Sequence, residues 1–166
     1  SDTYGIAQAY VNLANILSDY ELFGEALSYY LKADSAFSII DNKRGAARNL
    51  VYISEMLFEM QQLNQALGYA QRAYDLSEEF GFKVFQQDAL QSLVNITESR
   101  GDFRSALKYQ KEYQLINDSL ALDKQVSLRE ELMAKFELDE KNREIELLRN
   151  KDLLSQAESE SQRLTN

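Results

Sequence analysis

Carboxylates are the one reactive class that this chain of 166 residues carries in quantity, with 27 Asp and Glu. A pair of them could work as general acid and base if their surroundings held their pKa values apart. The usual companions of that chemistry are missing. With no His and no Cys, the chain lacks the commonest general base and transition-metal ligand, and it can form neither a disulfide nor a thiolate site. No glycine-rich phosphate loop, nucleophile motif or metal-ligand cluster occurs. Carboxylates without such partners read as solvated faces, so the expectation is a non-enzyme with no catalytic residue, no metal and no cofactor. Asn95-Ile96-Thr97 and Asn117-Asp118-Ser119 match the glycosylation triplet and read as accidental, the first lying inside a predicted helix.

The 27 acidic residues face 18 basic ones, a net charge of -9. Phosphate backbones and anionic membrane surfaces are repelled by that balance, so no nucleic acid is expected as a partner. No apolar run approaches the roughly 20 residues that a membrane span needs. The chain begins without Met, without a signal peptide and in the register of a loop, as an excised fragment would.

The elements that position these groups announce themselves by repetition. Glu25-Ala26-Leu27-Ser28-Tyr29 returns as Gln65-Ala66-Leu67-Gly68-Tyr69 and as Ser105-Ala106-Leu107-Lys108-Tyr109, each copy 40 residues after the last. A fixed period of that size marks a solenoid of repeated units. With no Pro and only six Gly, the units are helical, and the expected fold class is all-α: a helical-hairpin repeat solenoid followed by a long C-terminal helix.

Three hairpins are expected, at about 4–40, 44–80 and 83–117, with 119–166 as a separate capping helix that continues as a charged rod. Tyr10, Leu13, Ala14 and Leu17 make one apolar stripe of the first helix, and Ala26, Leu27, Tyr30, Ala33 and Phe37 that of the second. The second unit repeats the pattern with Leu50, Ile53, Ser54 and Leu57, then Ala66, Leu67, Ala70 and Ala73. The third has Leu90, Leu93, Val94 and Thr97, then Ala106, Leu107 and Tyr113. Small Ala26, Ala66 and Ala106 suit close helix crossings, and Gly81 suits a left-handed helix end.

Tyr10, Leu13, Ala14, Ala26, Tyr30 and Ala33 together resemble the tetratricopeptide repeat, over about residues 4–118. The period is longer than usual, the helix-ending Pro is absent, and Gln110 stands where an aromatic is expected; HEAT-type units have a similar period. The resemblance implies a groove lined by the first helix of each unit. Its positions here are Gln8, Val11 and Asn15, then Arg48, Val51 and Glu55, then Asp88, Gln91, Asn95 and Glu98. Asn15 and Asn95 suit a peptide amide. The family's clamp for a C-terminal carboxylate is absent, because Val11, Asp88 and Ser92 stand where its cations would be. The implied partner is a protein or peptide, neutral or basic, facing Glu55, Asp88 and Glu98. Tyr29, Tyr69 and Tyr109 read as packing between units rather than as a ligand ladder.

No fourth Ala-Leu phrase follows. Leu120, Leu122, Val126, Leu128, Leu132, Met133 and Phe136 are apolar enough to cover the third unit, whose open face would otherwise be exposed. Glu131 with Lys135, Glu137 with Lys141 and Asp139 with Arg143 then support a solvated helix. Val126, Met133, Phe136, Leu147, Leu154, Ala157 and Leu164 draw a heptad seam that Arg129, Glu140, Arg143, Asn150 and Ser161 interrupt, so a coiled-coil homodimer through 119–166 and a single charged helix both remain open. The stretch from Glu131 to Glu137 and from Lys141 to Leu148 resembles the segment that follows tetratricopeptide repeats in bacterial membrane-anchored signalling proteins. That resemblance implies an extracytoplasmic sensor joined through a coiled coil and a membrane span to a histidine kinase or helix-turn-helix output, with Leu132, Met133, Phe136, Leu147 and Leu154 on the signalling helix. A soluble scaffold, in the cytoplasm and without membrane or kinase, is the alternative.

Overall fold

The structure, a computed structural model, describes residues 2–164. Six helices and no strand occur among them: α1 Thr3–Asp19, α2 Phe23–Ile39, α3 Lys43–Glu59, α4 Leu63–Glu79, α5 Lys83–Ser99 and α6 Phe103–Leu164. No helix among the described residues is long and apolar enough to cross a membrane. The chain divides into two compact units, the first ending at Leu120 and the second beginning at Ala121.

Three residues separate each pair of helices, and they both stop one helix and start the next. After α1 the Glu21 N–H donates to the Ser18 carbonyl and the Leu22 N–H to the Leu17 carbonyl, both at 2.9 Å. This is the paired bonding of a Schellman cap, and it recurs after α2, α3, α4 and α5. It requires a left-handed residue, found at Glu21, Asp41, Gln61, Gly81 and Gly101 with φ of 60°, 52°, 59°, 69° and 75°. Only the last two are glycines, so three side chains bear the strain of that region. Gln61→Gly is expected to stabilise the chain by about 0.5–1 kcal/mol, relief of strain exceeding the added chain entropy. Urea midpoints of the two proteins check it, and an unchanged or lower midpoint would refute it.

The next residue begins the following helix. Asp2, Asn42 and Asp102 accept through Oδ1 from the N–H of Gly5, Gly45 and Ser105, at 2.9, 2.9 and 3.1 Å.

Within the first unit, α1 packs on α2, α2 on α3, α3 on α4, α4 on α5 and α3 on α5. Ala26, Ala66 and Ala106 are buried, as the close crossings require. Between them Phe37, Ile53, Leu57, Leu90, Leu93 and Ile96 fill the interior. A polar strand of contacts links the first two hairpins: Asn49 Nδ2 donates to the Tyr30 carbonyl at 2.8 Å, and the Tyr30 hydroxyl donates to Asn15 Oδ1 at 2.6 Å. The third hairpin closes through the start of α6, where Tyr109, Tyr113 and Ile116 pack on the core. Gln87 Nε2 also donates to Asn117 Oδ1 at 2.9 Å. Tyr29, Tyr69 and Tyr109 are half-buried against the same core, with Lys32 4.3 Å from the centre of the Tyr29 ring and Arg72 5.1 Å from that of Tyr69. Packing therefore accounts for all three.

The division of the chain at Leu120 and Ala121 is not marked by a helix break: the second helix of the third hairpin and the helix expected from 119 are one, α6, since Gly101 is the last glycine and proline is absent. Leu122, Val126, Leu128, Leu132, Met133 and Phe136 are exposed, as are Leu147 and Leu154. The side chains of Ser161 and Leu164, and Thr165 and Asn166, lie outside the described residues.

Candidate functional site

Residues from α3 and α5 line a cleft of about 550 Å³, to which Ser18 and Phe23 also contribute. That volume falls within the range of small-ligand sites. Four of the groove positions named from the repeat register come together in it: Glu55 from α3 and Asp88, Gln91 and Asn95 from α5. Their spacing of three, four and seven residues puts those on α5 along one face.

The other named positions lie elsewhere. Val11 and Val51 are corrections: they are 2% and 3% exposed and belong to the core, because each sits on the stripe facing the neighbouring helix. Gln8 and Arg48 are paired with each other, Nη2 of Arg48 donating to Gln8 Oε1 at 3.4 Å, beside a smaller pocket of about 120 Å³. Asn15 is engaged as acceptor of the Tyr30 hydroxyl, and Glu98 is exposed. Residues that the register did not name complete the cleft. Met56 and Ile96 are its buried apolar parts, Phe58 and Phe23 its half-exposed aromatic walls, and Glu59 a third carboxylate. Only the fold could reveal these, since Phe23 comes from a different hairpin than Phe58.

The electrostatics are one-sided. Three carboxylates line the cleft, and no Lys or Arg does. Withdrawal from water raises the Glu55 pKa above the ordinary carboxylate value, and the charges of Asp88 and Glu59 raise it further. Glu55 is an exposed residue, so the cause is partial loss of water within the cleft rather than full burial. Asp88 is raised by loss of water alone. Two hydrogen bonds order the α5 side: Gln91 Nε2 donates to Asn95 Oδ1 at 2.9 Å, and the Ser92 hydroxyl to the Asp88 carbonyl at 3.2 Å.

A raised carboxyl pKa weakens the folded state once the group ionises. The folded form holds its proton to higher pH than the unfolded form, so its advantage is complete below the unfolded pKa and disappears as pH rises through the folded pKa. Glu55→Gln is therefore expected to raise Tm at pH 7 and to leave it nearly unchanged at pH 3.5. Equal shifts at the two pH values would show that the charge is not the cause.

No family model matches the chain. Over 49 residues it is 43% identical to Tetratricopeptide repeat protein 29 of Trypanosoma brucei brucei, a match covering 30% of this chain and 10% of that protein. Aspartyl phosphate phosphatase F from Bacillus subtilis has a similar structure, with a TM-score of 0.66 at 20% identity, covering 69% of this chain and 30% of the other. The fold is a tetratricopeptide-like helical solenoid. The chain thus spans a small part of the proteins it matches. The solenoid is of a type that suits contacts with other proteins, since its units present successive first helices on one continuous face.

Proposed function

We propose that the chain is a non-catalytic protein- or peptide-binding module, sensory or regulatory, of a bacterial signal-transduction protein. A neutral or basic partner binds in the cleft between α3 and α5, and the response is passed through α6. The observation that carries this reading is the continuity of α6: one helix contributes Ala106, Tyr109 and Tyr113 to the packing of the third hairpin and continues without a break through Leu132, Met133, Phe136, Leu147 and Leu154. Binding that repacks the third hairpin acts directly on α6, the helix that continues past it. The apolar side chains exposed on the later part of α6 suit pairing with a second copy.

Light scattering on the full chain and on a chain ending at residue 138 tests the output. A dimer that becomes a monomer on shortening supports a signalling rod. A monomer in both forms overturns the rod and leaves a protein-binding scaffold. The coding sequence beyond Asn166 is the companion observation: an apolar run of about 20 residues there, followed by a kinase or DNA-binding pattern, supports the membrane-anchored sensor.

A further inference from the structure

We propose that the pocket at the starts of α1, α3 and α5 takes the side-chain carboxylate of one Asp or Glu of a bound peptide, held by Arg44 and Arg48. The inference rests on the groove-binding reading above and adds what one residue of the bound segment must be. Arg44 and Arg48 line this pocket of about 120 Å³, together with Tyr4 and Gln8 of α1 and Phe85 of α5. No Asp or Glu lines it, although the chain has a net charge of -9. Four residues apart on α3, the two guanidiniums lie on one face of the helix. Both are open to a ligand, Arg44 being exposed and Arg48 half-buried. The family's clamp for a C-terminal carboxylate would stand elsewhere, at Val11, Asp88 and Ser92.

What holds each guanidinium in place is not an anion. Arg44 lies 5.7 Å from the centre of the Phe82 ring and 5.4 Å from that of Phe85, and the two rings meet edge to face at 6.2 Å. Arg48 donates to Gln8 Oε1 at 3.4 Å, and Gln8 Nε2 in turn donates to Asn12 Oδ1 at 3.1 Å. Neutral partners of this kind fix where a cation stands and leave its charge and most of its N–H donors free. Neither arginine forms an ion pair with a carboxylate among the described residues.

The second support comes from the helix itself. α3 opens with Lys43 and Arg44 and has no acidic residue in its first turn. Cations there stand at the positive end of the macrodipole, which disfavours them. Asp41 offsets Lys43 at 2.6 Å. Arg44 has no such offset, and a carboxylate shared between it and Arg48 supplies one. The planar forks of two arginines match the two oxygens of a carboxylate, while Tyr4 and Phe85 offer ring surface to the methylenes behind it. The pocket is far smaller than the roughly 300 Å³ at which sites for whole small molecules begin, so a single short side chain suits it.

The test is selection of randomised hexapeptides on the full chain, acetylated and amidated so that side chains supply the only carboxylates. Bound peptides are expected to carry an Asp or Glu, and replacing it by Asn or Gln should weaken binding by about tenfold. R44Q/R48Q should lose a similar factor with the melting temperature retained, while R149Q/K151Q, which removes the same charge from α6, should not. R44K/R48K keeps the charge without the forks and should recover only part of the loss. A parallel selection with free C-termini separates the two sources of a carboxylate. Tighter binders there that lack an acidic side chain and are lost on amidation would overturn the side-chain assignment. Capped binders without Asp or Glu, or equal losses for R44Q/R48Q and R149Q/K151Q, would overturn the inference while leaving the groove-binding reading in place. Failure to retain any peptide would overturn both.

Discussion

Phe37→Ala is expected to destabilise the chain by about 3–5 kcal/mol, the range for truncating a buried aromatic. Phe37 is 1% exposed at the end of α2 and lies against Gly45 at the start of α3. A Cβ at Gly45 would stand 2.6 Å from Phe37 Cε1, closer than real contacts allow. The ring therefore belongs to the junction between the first and second hairpins, not to either alone. In a solenoid, stability is a sum of unit and neighbour terms, so losing the junction should let the first hairpin unfold ahead of the others. Denaturant unfolding should show a broadened or two-step transition. Gly45→Ala supplies the internal check. In the natural chain it should destabilise, because the buried ring cannot give way. Beside Phe37→Ala it should become stabilising, since the clash is gone and Ala favours helix over Gly by about 1 kcal/mol. The reversal of sign in this double-mutant cycle is the decisive reading; additive effects would show that the ring and the glycine do not meet.

Ala66→Leu should cost about 3 kcal/mol, at the upper end of what overpacking usually costs. Ala66 is 0% exposed where α4 crosses its neighbours, and Ala26 in the first hairpin is equally buried. Three added carbons there must push helices apart along their length. The equivalent change in the third hairpin should be milder, about 1 kcal/mol. Ala106 is 4% exposed, and its neighbours Phe103 and Leu107 are 71% and 58% exposed, so a leucine has solvent to lean into. Chemical denaturation of the two variants side by side checks the contrast. Equal losses would mean that the crossing distance, and not the surroundings, sets the cost.

Both predictions exploit features of unequal visibility in the sequence. The alanines were legible because a close helix crossing demands a small residue and the demand recurs every 40 positions. Gly81 was legible as a helix end for the same kind of reason, whereas Glu21, Asp41 and Gln61 adopt the same left-handed conformation without the residue that would advertise it. Three-residue connections between packed helices impose it on whatever side chain is there.

In the cleft, Glu55, Asp88, Gln91 and Asn95 could be placed from the repeat register, since equivalent positions of repeated helices face the same way. Val11 and Val51 show the limit of that argument. Transferring a register assumes equal helix rotation, and an apolar side chain at such a position turns inward when a neighbouring helix is near enough to cover it. Phe23 joins Phe58 at the cleft only because the first hairpin stacks on the second, so no local pattern marks the pair. By itself the sequence determined the helices, their period and the three small crossing positions, because those follow from local conformational preference and repetition. Which polar groups converge and which valines are buried were decided by tertiary structure alone, because each depends on distances between helices that no stretch of sequence contains.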